Sequence, residues 1–275
     1  MDDLRSMIRA RVRHLVGSSD MDLSRPPGDD GLFGPGSAPW RVHGDFTAMM
    51  IGGVSALLLQ MLHPRALAGV WDHSDFRRDR HGRLKRTAQF ITLTTFGATS
   101  AAEAAIAKVR RIHDRVGGAL DDGTPYSAND PDLLTWVHVA EVDSFLRAHL
   151  RYKDAALPGA VQDAYLADYA TVARRLGSAD VPTSRREIAD YYCAIRPKLR
   201  FDHRTREVAS ALLARSWRDP IVAPAMALMF RAGADLLPDW AAAMHRRQSP
   251  RLAQPAIRTA SRGMGSVLRW ALAAR

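Results

Sequence analysis

The sequence predicts an all-α protein: one globular helical domain of about ten helices around a central apolar helix. Three observations predict the class. Apolar residues recur at spacings of three and four over most of the chain. No segment alternates with period two, and no internal repeat is present. Prolines such as Pro64, Pro131, Pro197, Pro220, Pro224, Pro238, Pro250 and Pro255 break or open helix-length segments. The 275 residues are 47% apolar, enough for a sizeable core.

The first helix spans Asp2 to Val16, with Leu4, Ile8, Val12 and Leu15 on one stripe and Asp2 or Asp3 as cap. Gly17 to Pro39 is rich in Gly, Pro, Ser and Asp and reads as a long irregular connection, so residues 1–39 form an N-terminal helix and arm, a peripheral arm or lid. Residues 40–275 form the main domain. Its centre is Phe46 to Leu62, capped by Asp45 and apolar all round, which places it in the interior. His63-Pro64 ends that helix and starts a short one to about Trp71. Arg83 to Phe96 follows, closed by Gly97, although its threonines would also suit a strand. Thr99 or Ser100 caps a helix to about Val116, with Gly117-Gly118 at its end. Asn129-Asp130-Pro131 starts a long helix to about Tyr152. Further helices are predicted at 158–176, 184–199, 204–217, 219–232, 236–246 and 250–273.

Composition narrows the function. The net charge of +10 comes from 39 basic and 29 acidic residues spread along the chain, with only short runs such as Arg77-Arg78 and His245-Arg246-Arg247. That reads as a solvated arginine-rich surface. No helix-turn-helix with a basic second helix is evident, so no nucleic-acid partner is expected. The basic C-terminal segment with Arg258, Arg262 and Arg269 reads as a solvated amphipathic helix. A single cysteine, Cys193, excludes a disulfide within the chain and a cysteine-based zinc site. The start Met1-Asp2-Asp3 lacks a secretory pattern, and a cytoplasmic location is expected. The Phe46–Leu62 run is at the lower edge of bilayer-spanning length and contains Gly52, Gly53, Ser55 and Gln60. Membrane association is therefore not expected.

The chemistry concentrates between Arg83 and His138. His113 shares a face with Ile106, Val109 and Val116, and His138 shares one with Leu134, Glu141, Val142 and Phe145. Arg83 and Arg86 lie three apart, with Thr87 four after Arg83. A buried histidine is ordinarily a hydrogen-bonded core residue. Arginines beside a histidine on an apolar platform, however, suit a planar anionic cofactor. Imidazole ligates the metal and guanidinium forks hold carboxylates. A haem meets both needs. His-Glu-x-x-His, paired Glu-x-x-His, G-x-S-x-G, P-loop and G-x-G-x-x-G motifs are all absent, which removes several rival chemistries. His63 and His73 are weaker candidates. Trp71, Phe76, Phe90, Phe96, Trp136 and Phe145 would make a pocket wall, aromatic core being the default reading.

The pieces Leu62-His63-Pro64, His73-Ser74-Asp75-Phe76, Arg83-Leu84-Lys85-Arg86-Thr87, Phe96-Gly97, His113-Asp114-Arg115-Val116-Gly117 and Trp136-Val137-His138 occur in a characteristic order. Together, over residues 40 to 215, they resemble the MpaB-type oxygenase family, also called domain of unknown function 2236, which includes the latex-clearing rubber oxygenases. The resemblance implies an all-helical haem-b-dependent oxygenase acting with dioxygen on a small apolar, alkene-bearing substrate. It implies His113 as proximal iron ligand, with His138 as the alternative, and Arg83 and Thr87 facing the haem. Arg83 and Arg86 would hold propionates or polarise oxygen. The sequence departs from the family at Arg86, where the rubber oxygenase has a lysine able to cap the iron; arginine stays protonated and ligates poorly. A distal base is not marked, with Asp75, Asp79 and Glu141 as candidates. The alternative reading is a non-catalytic haem-binding or apolar-ligand-binding protein.

Overall fold

The Asp45 carboxylate accepts the Ala48 amide at 2.8 Å and starts the central helix, α3 (Phe46–Gln60). Nine of its fifteen residues are buried, so neighbours must cover it on every side. Its main partner is α7 (Pro131–Tyr152), capped by Asp130 with Pro131 in the first turn. A side chain on Gly52 would come within 2.8 Å of Phe145 Cδ1 and 3.0 Å of the Ser144 carbonyl. The Trp136 indole N–H donates to the Gln60 carbonyl at 3.1 Å. Gly52 thus meets Phe145 while Gln60 meets Trp136, and the two helices run antiparallel at close range. On another side α3 packs against α11 (Val222–Leu236), where a Cβ on Gly233 would fall 2.6 Å from Val54.

The computed structural model describes residues 2–16, 28–76, 79–214, 222–246 and 252–273. Among them are thirteen α-helices, one 3-10 turn and one hairpin, an all-α domain. The remaining elements are α1 (Asp2–Val16), α2 (Ala38–His43), α4 (Pro64–His73), α5 (Arg80–Phe96), α6 (Thr99–His113), β1 (Gly117–Ala119), β2 (Pro125–Ser127), α8 (Gly159–Leu176), α9 (Arg185–Ile195), α10 (His203–Leu213), α12 (Asp239–Met244) and α13 (Gln254–Leu272). One large apolar cluster runs through nearly all of them. No single described helix is long and apolar enough to cross a membrane; α3 and α4 together reach that length but bend by 104° at their break.

Every helical segment read from the sequence carries a helix, and the differences are local. Residues 17–27 of the expected connection, Arg77-Arg78, Arg247, and the expected helical residues 215–217, 219–221 and 250–251 lie outside the described residues. The later part of that connection contains α2, a six-residue helix started by Ser37 with proline in its first turn. So short a helix leaves no periodic signal. Gly117-Gly118 does not end a helix: α6 stops at His113, and the two glycines open the hairpin, in register Gly117 with Ser127, Gly118 with Tyr126 and Ala119 with Pro125. Three-residue strands are too short to show period two. The threonines of α5 do not make a strand; Thr87 and Thr94 donate to carbonyls four residues back in their own helix. The start of α6 receives its cap from Asp29, which accepts the Thr99 amide at 2.7 Å. The helix α1, expected as a peripheral arm, lies against α13 and α5.

A second buried cluster joins α2, α5, α7 and α8. His43 Nδ1 lies 2.9 Å from the Thr95 hydroxyl and its Nε2 2.8 Å from the Tyr165 hydroxyl. The His138 ring stacks on Tyr169, and the Thr94 hydroxyl lies 3.1 Å from the Tyr169 hydroxyl. Burial, reinforced by His149, pulls the His43 imidazole down to about 3. Burial and Arg174 do the same to His138, also to about 3.

Two outcomes follow from this packing. Replacement of Gly52 or Gly233 by alanine should overpack α3 and lower the unfolding free energy by about 1–3 kcal/mol in urea titrations. Acidification should also destabilise the fold. The unfolded chain takes up protons near 6.5, which native His43 and His138 refuse until about 3. Their contribution is complete above 6.5 and lost as pH falls towards 3. Melting temperatures measured from pH 7 down to about 4 should therefore decline, and replacing His43 by phenylalanine should flatten that decline.

Candidate functional site

The cavity opens where the C-terminal end of α3 meets the N-terminal end of α7. Leu57, Gln60 and Met61 come from α3 and its cap, and Leu133, Leu134 and Val137 from α7. Further walls come from α4, α5, the end of α6, the hairpin, α10 and α11. Its volume is about 460 Å³, within the range of small-molecule sites. Most of its lining is aliphatic. Phe76, Tyr126 and Phe230 are its aromatic side chains. Of the aromatic residues expected as a pocket wall, only Phe76 lines it; Trp136 and Phe145 are buried in the core instead.

The polar groups on this apolar wall are few. Proline at the start of α4 sets the helical phase that turns Arg65, Gly69 and His73, at intervals of four, to the cavity. Arg65 is committed elsewhere: it pairs with Asp130 and donates to the Pro125 carbonyl at 3.0 Å. Arg86 reaches Asp79 at 3.0 Å and is well exposed. Arg83 is different. Among the described residues its guanidinium donates to the Ser74 hydroxyl at 2.8 Å and pairs with no carboxylate. Burial, with Arg86 beside it, pushes its pKa down, the sign of a desolvated cation lacking a counter-ion. His113, on the last residue of α6, also lines the cavity. Its Nδ1 is buried without a hydrogen-bond partner among the described residues, and burial lowers its pKa against the opposing pull of Asp114.

The structure thus brings Arg83, Arg86 and His113 to one cavity. Thr87 and His138 are not among the lining residues. The Thr87 hydroxyl donates to the Arg83 carbonyl at 3.2 Å within its own helix. His138 faces the buried tyrosines. Of the candidate bases, Asp75 is an exposed part of the lining, Asp79 caps α5, and Glu141 lies behind the wall. The Gln60 amide lines the cavity and donates to Glu141 at 3.3 Å. Burial raises the Glu141 carboxyl to about 7, opposed only by that hydrogen bond. His63 is buried outside the lining, whereas His73 is on it.

Sequence reasoning overlooked Gln60, Arg65 and Tyr126. Arg65 follows the helix-starting Pro64, so its phase was readable. Tyr126 sits in a three-residue strand with no pattern around it. It packs over the glycine strand, where a Cβ on Gly118 would lie 2.9 Å from its hydroxyl. No group of three or more His, Cys, Asp or Glu side chains among the described residues could hold a metal ion.

Residues 40–270 match the family profile described as the catalytic domain of the ER-bound oxygenases mpaB and B' and of rubber oxygenase. The chain belongs to this family of oxygenase catalytic domains. No curated protein and no solved structure matches it. Family membership implies dioxygen and an organic substrate as partners, and a metal or haem as cofactor.

The half-buried Glu141 gives a test of the wall. Its folded pKa of about 7 exceeds the usual 4.5, so the stability linked to its proton is present below 4.5 and lost as pH rises through 7. Glu141→Gln should therefore be more stable than the wild type at pH 8, by about 1–3 kcal/mol in urea unfolding, with the gain vanishing near pH 4.5.

Proposed function

We propose that the chain is a haem-b-dependent oxygenase acting with dioxygen on an apolar, alkene-bearing substrate. The observation that carries this reading is the pairing, in one aliphatic cavity, of an imidazole and a half-buried guanidinium; among the described residues the buried ring nitrogen meets no hydrogen-bond partner and the guanidinium no partner of opposite charge. The donor set suits a metal held mainly by its own macrocycle. One side-chain ligand suffices for such a group, whereas a bare ion would need several, and no such grouping is present among the described residues.

His113 would ligate the iron, and Arg83 with Arg86 would hold the propionates. When bound, the haem supplies a reducible iron at which dioxygen is activated. The remaining roles belong to the chain. The aliphatic walls from α3, α7 and α10 exclude water and accept an apolar substrate. Thr87 acts through its bond to the Arg83 carbonyl, fixing the turn that presents the guanidinium. The lowered pKa of His113 keeps its imidazole neutral, as a ligand must be, to a lower pH than a free histidine.

A second reading, a non-catalytic haem-binding or apolar-ligand-binding protein, draws on the lining itself. Its one carboxylate, Asp75, is exposed, and Glu141 is screened by Gln60. Oxygen consumption by the reduced protein with candidate alkenes separates the two.

Titration with haemin tests the cofactor. The wild type should develop a Soret band. His113→Ala should lose it, and His138→Ala, outside the cavity, should keep it. Arg83→Ala should weaken haemin binding about 10–100-fold, the value of a charged hydrogen bond. Release of haem on acidification should begin below the ordinary imidazole value of 6.5. A Soret band lost in His138→Ala and kept in His113→Ala would move the ligand; no band in the wild type would sink the haem reading.

A further inference from the structure

Two imidazoles line the cavity, and they are supported differently. His113 Nδ1 has no hydrogen-bond partner among the described residues. His73, the last residue of α4, has the support usual for a metal-ligating histidine: an acceptor on one ring nitrogen and a carboxylate further back. Its Nε2 lies 3.0 Å from the Gly117 carbonyl and 3.3 Å from the Tyr126 hydroxyl. The Tyr126 hydroxyl in turn donates to Asp72 at 2.5 Å.

This pattern sets the tautomer. A carbonyl only accepts, so the proton must be on His73 Nε2. Tyr126 has one proton and gives it to Asp72, leaving its lone pair towards the same Nε2–H. A neutral ring protonated on Nε2 carries a bare lone pair on Nδ1. No hydrogen bond among the described residues engages Nδ1. The hairpin therefore fixes the ring from one edge and leaves its other nitrogen without a hydrogen bond among the described residues.

The other lining groups do not compete well for a metal. Arg65 and Arg86 are protonated and paired. The Tyr126 proton is held by Asp72. Met61 contributes a thioether and is the one other soft donor in the lining.

We propose that His73 is a second imidazole donor to the cofactor metal, binding through Nδ1 in the resting protein and held for that purpose by the Gly117 carbonyl and the Tyr126–Asp72 pair. The proposal rests on the haem reading above. His73 sits on exposed chain at the cavity margin, while His113 is more enclosed. Of the two imidazoles, His73 would be the more easily displaced donor.

The test uses the full chain loaded with haemin, read by optical and electron paramagnetic resonance spectra without substrate. The ferric wild type should be low-spin with two imidazole ligands. His73→Ala should become mainly high-spin while losing no more than about ten-fold in haemin affinity. Free imidazole should restore its low-spin spectrum. His73→Gln, which keeps a polar side chain, should behave as His73→Ala and guards against a folding defect, checked by circular dichroism. Tyr126→Phe should give a mixed-spin population. A high-spin wild type, or a low-spin spectrum unchanged in both His73 variants, overturns the proposal while leaving the haem reading standing. Conversion by Met61→Ala instead of the His73 variants also overturns it, in favour of the thioether. A wild type that takes up no haemin overturns both readings together.

Discussion

The close approach of α3 to its neighbours is the constraint on which the rest depends. A helix apolar on all faces has no solvent side, and its backbone must be reached from several directions. Gly52 lets the Phe145 ring lie against the α3 backbone, and Gly233 lets α11 close on Val54. With those contacts fixed, the antiparallel pairing sets what stands at the far end of α3. There Gln60 and Met61 face the first turns of α7, and the cavity is the space that α4, α5 and the hairpin close over. The site is thus built on rigid helices, with the less regular hairpin confined to one wall.

The cavity is economical in its polarity. Of the cations on its wall, Arg65 serves the hairpin and the start of α7, while Arg86 serves the start of α5. Among the described residues Arg83 meets only a neutral side-chain partner. An uncompensated guanidinium in an apolar setting costs stability unless an anion reaches it. An anionic ligand in the cavity would offset that cost.

Much of this was legible in the sequence because it is local. Asp45 and Asp130 announced their helices as caps, Pro64 and Pro131 marked first turns, and the all-round apolarity of the Phe46–Gln60 stretch placed it in the interior. Arg83 and His113 were legible as candidates through residue type, spacing and family pattern. What they face is a tertiary fact. Thr87 shares a motif with Arg83, yet its hydroxyl turns back on its own helix. His138 sits one residue after the cavity-lining Val137, but a single step along a helix turns a side chain by about 100°. The hairpin was hidden because strands of three residues carry no period, and the support of His73 was hidden with it. Glu141 was visible as a carboxylate on the His138 face, but its isolation behind Gln60 depends on how two helices meet.

The contact between α1 and α13 bears on the order of assembly. Arg5 donates to the Trp270 carbonyl, and Arg9 to that of Ala271, so the first helix satisfies the carbonyls left open at the end of the last one. The Arg5 contact closes a separation of 265 residues. In a flexible chain such a closure costs about 5 kcal/mol of entropy, far more than a few surface hydrogen bonds return. The contact becomes favourable only after the intervening helices have shortened the path between its ends. The α1–α13 contact therefore forms late in folding, after the helices between them have packed.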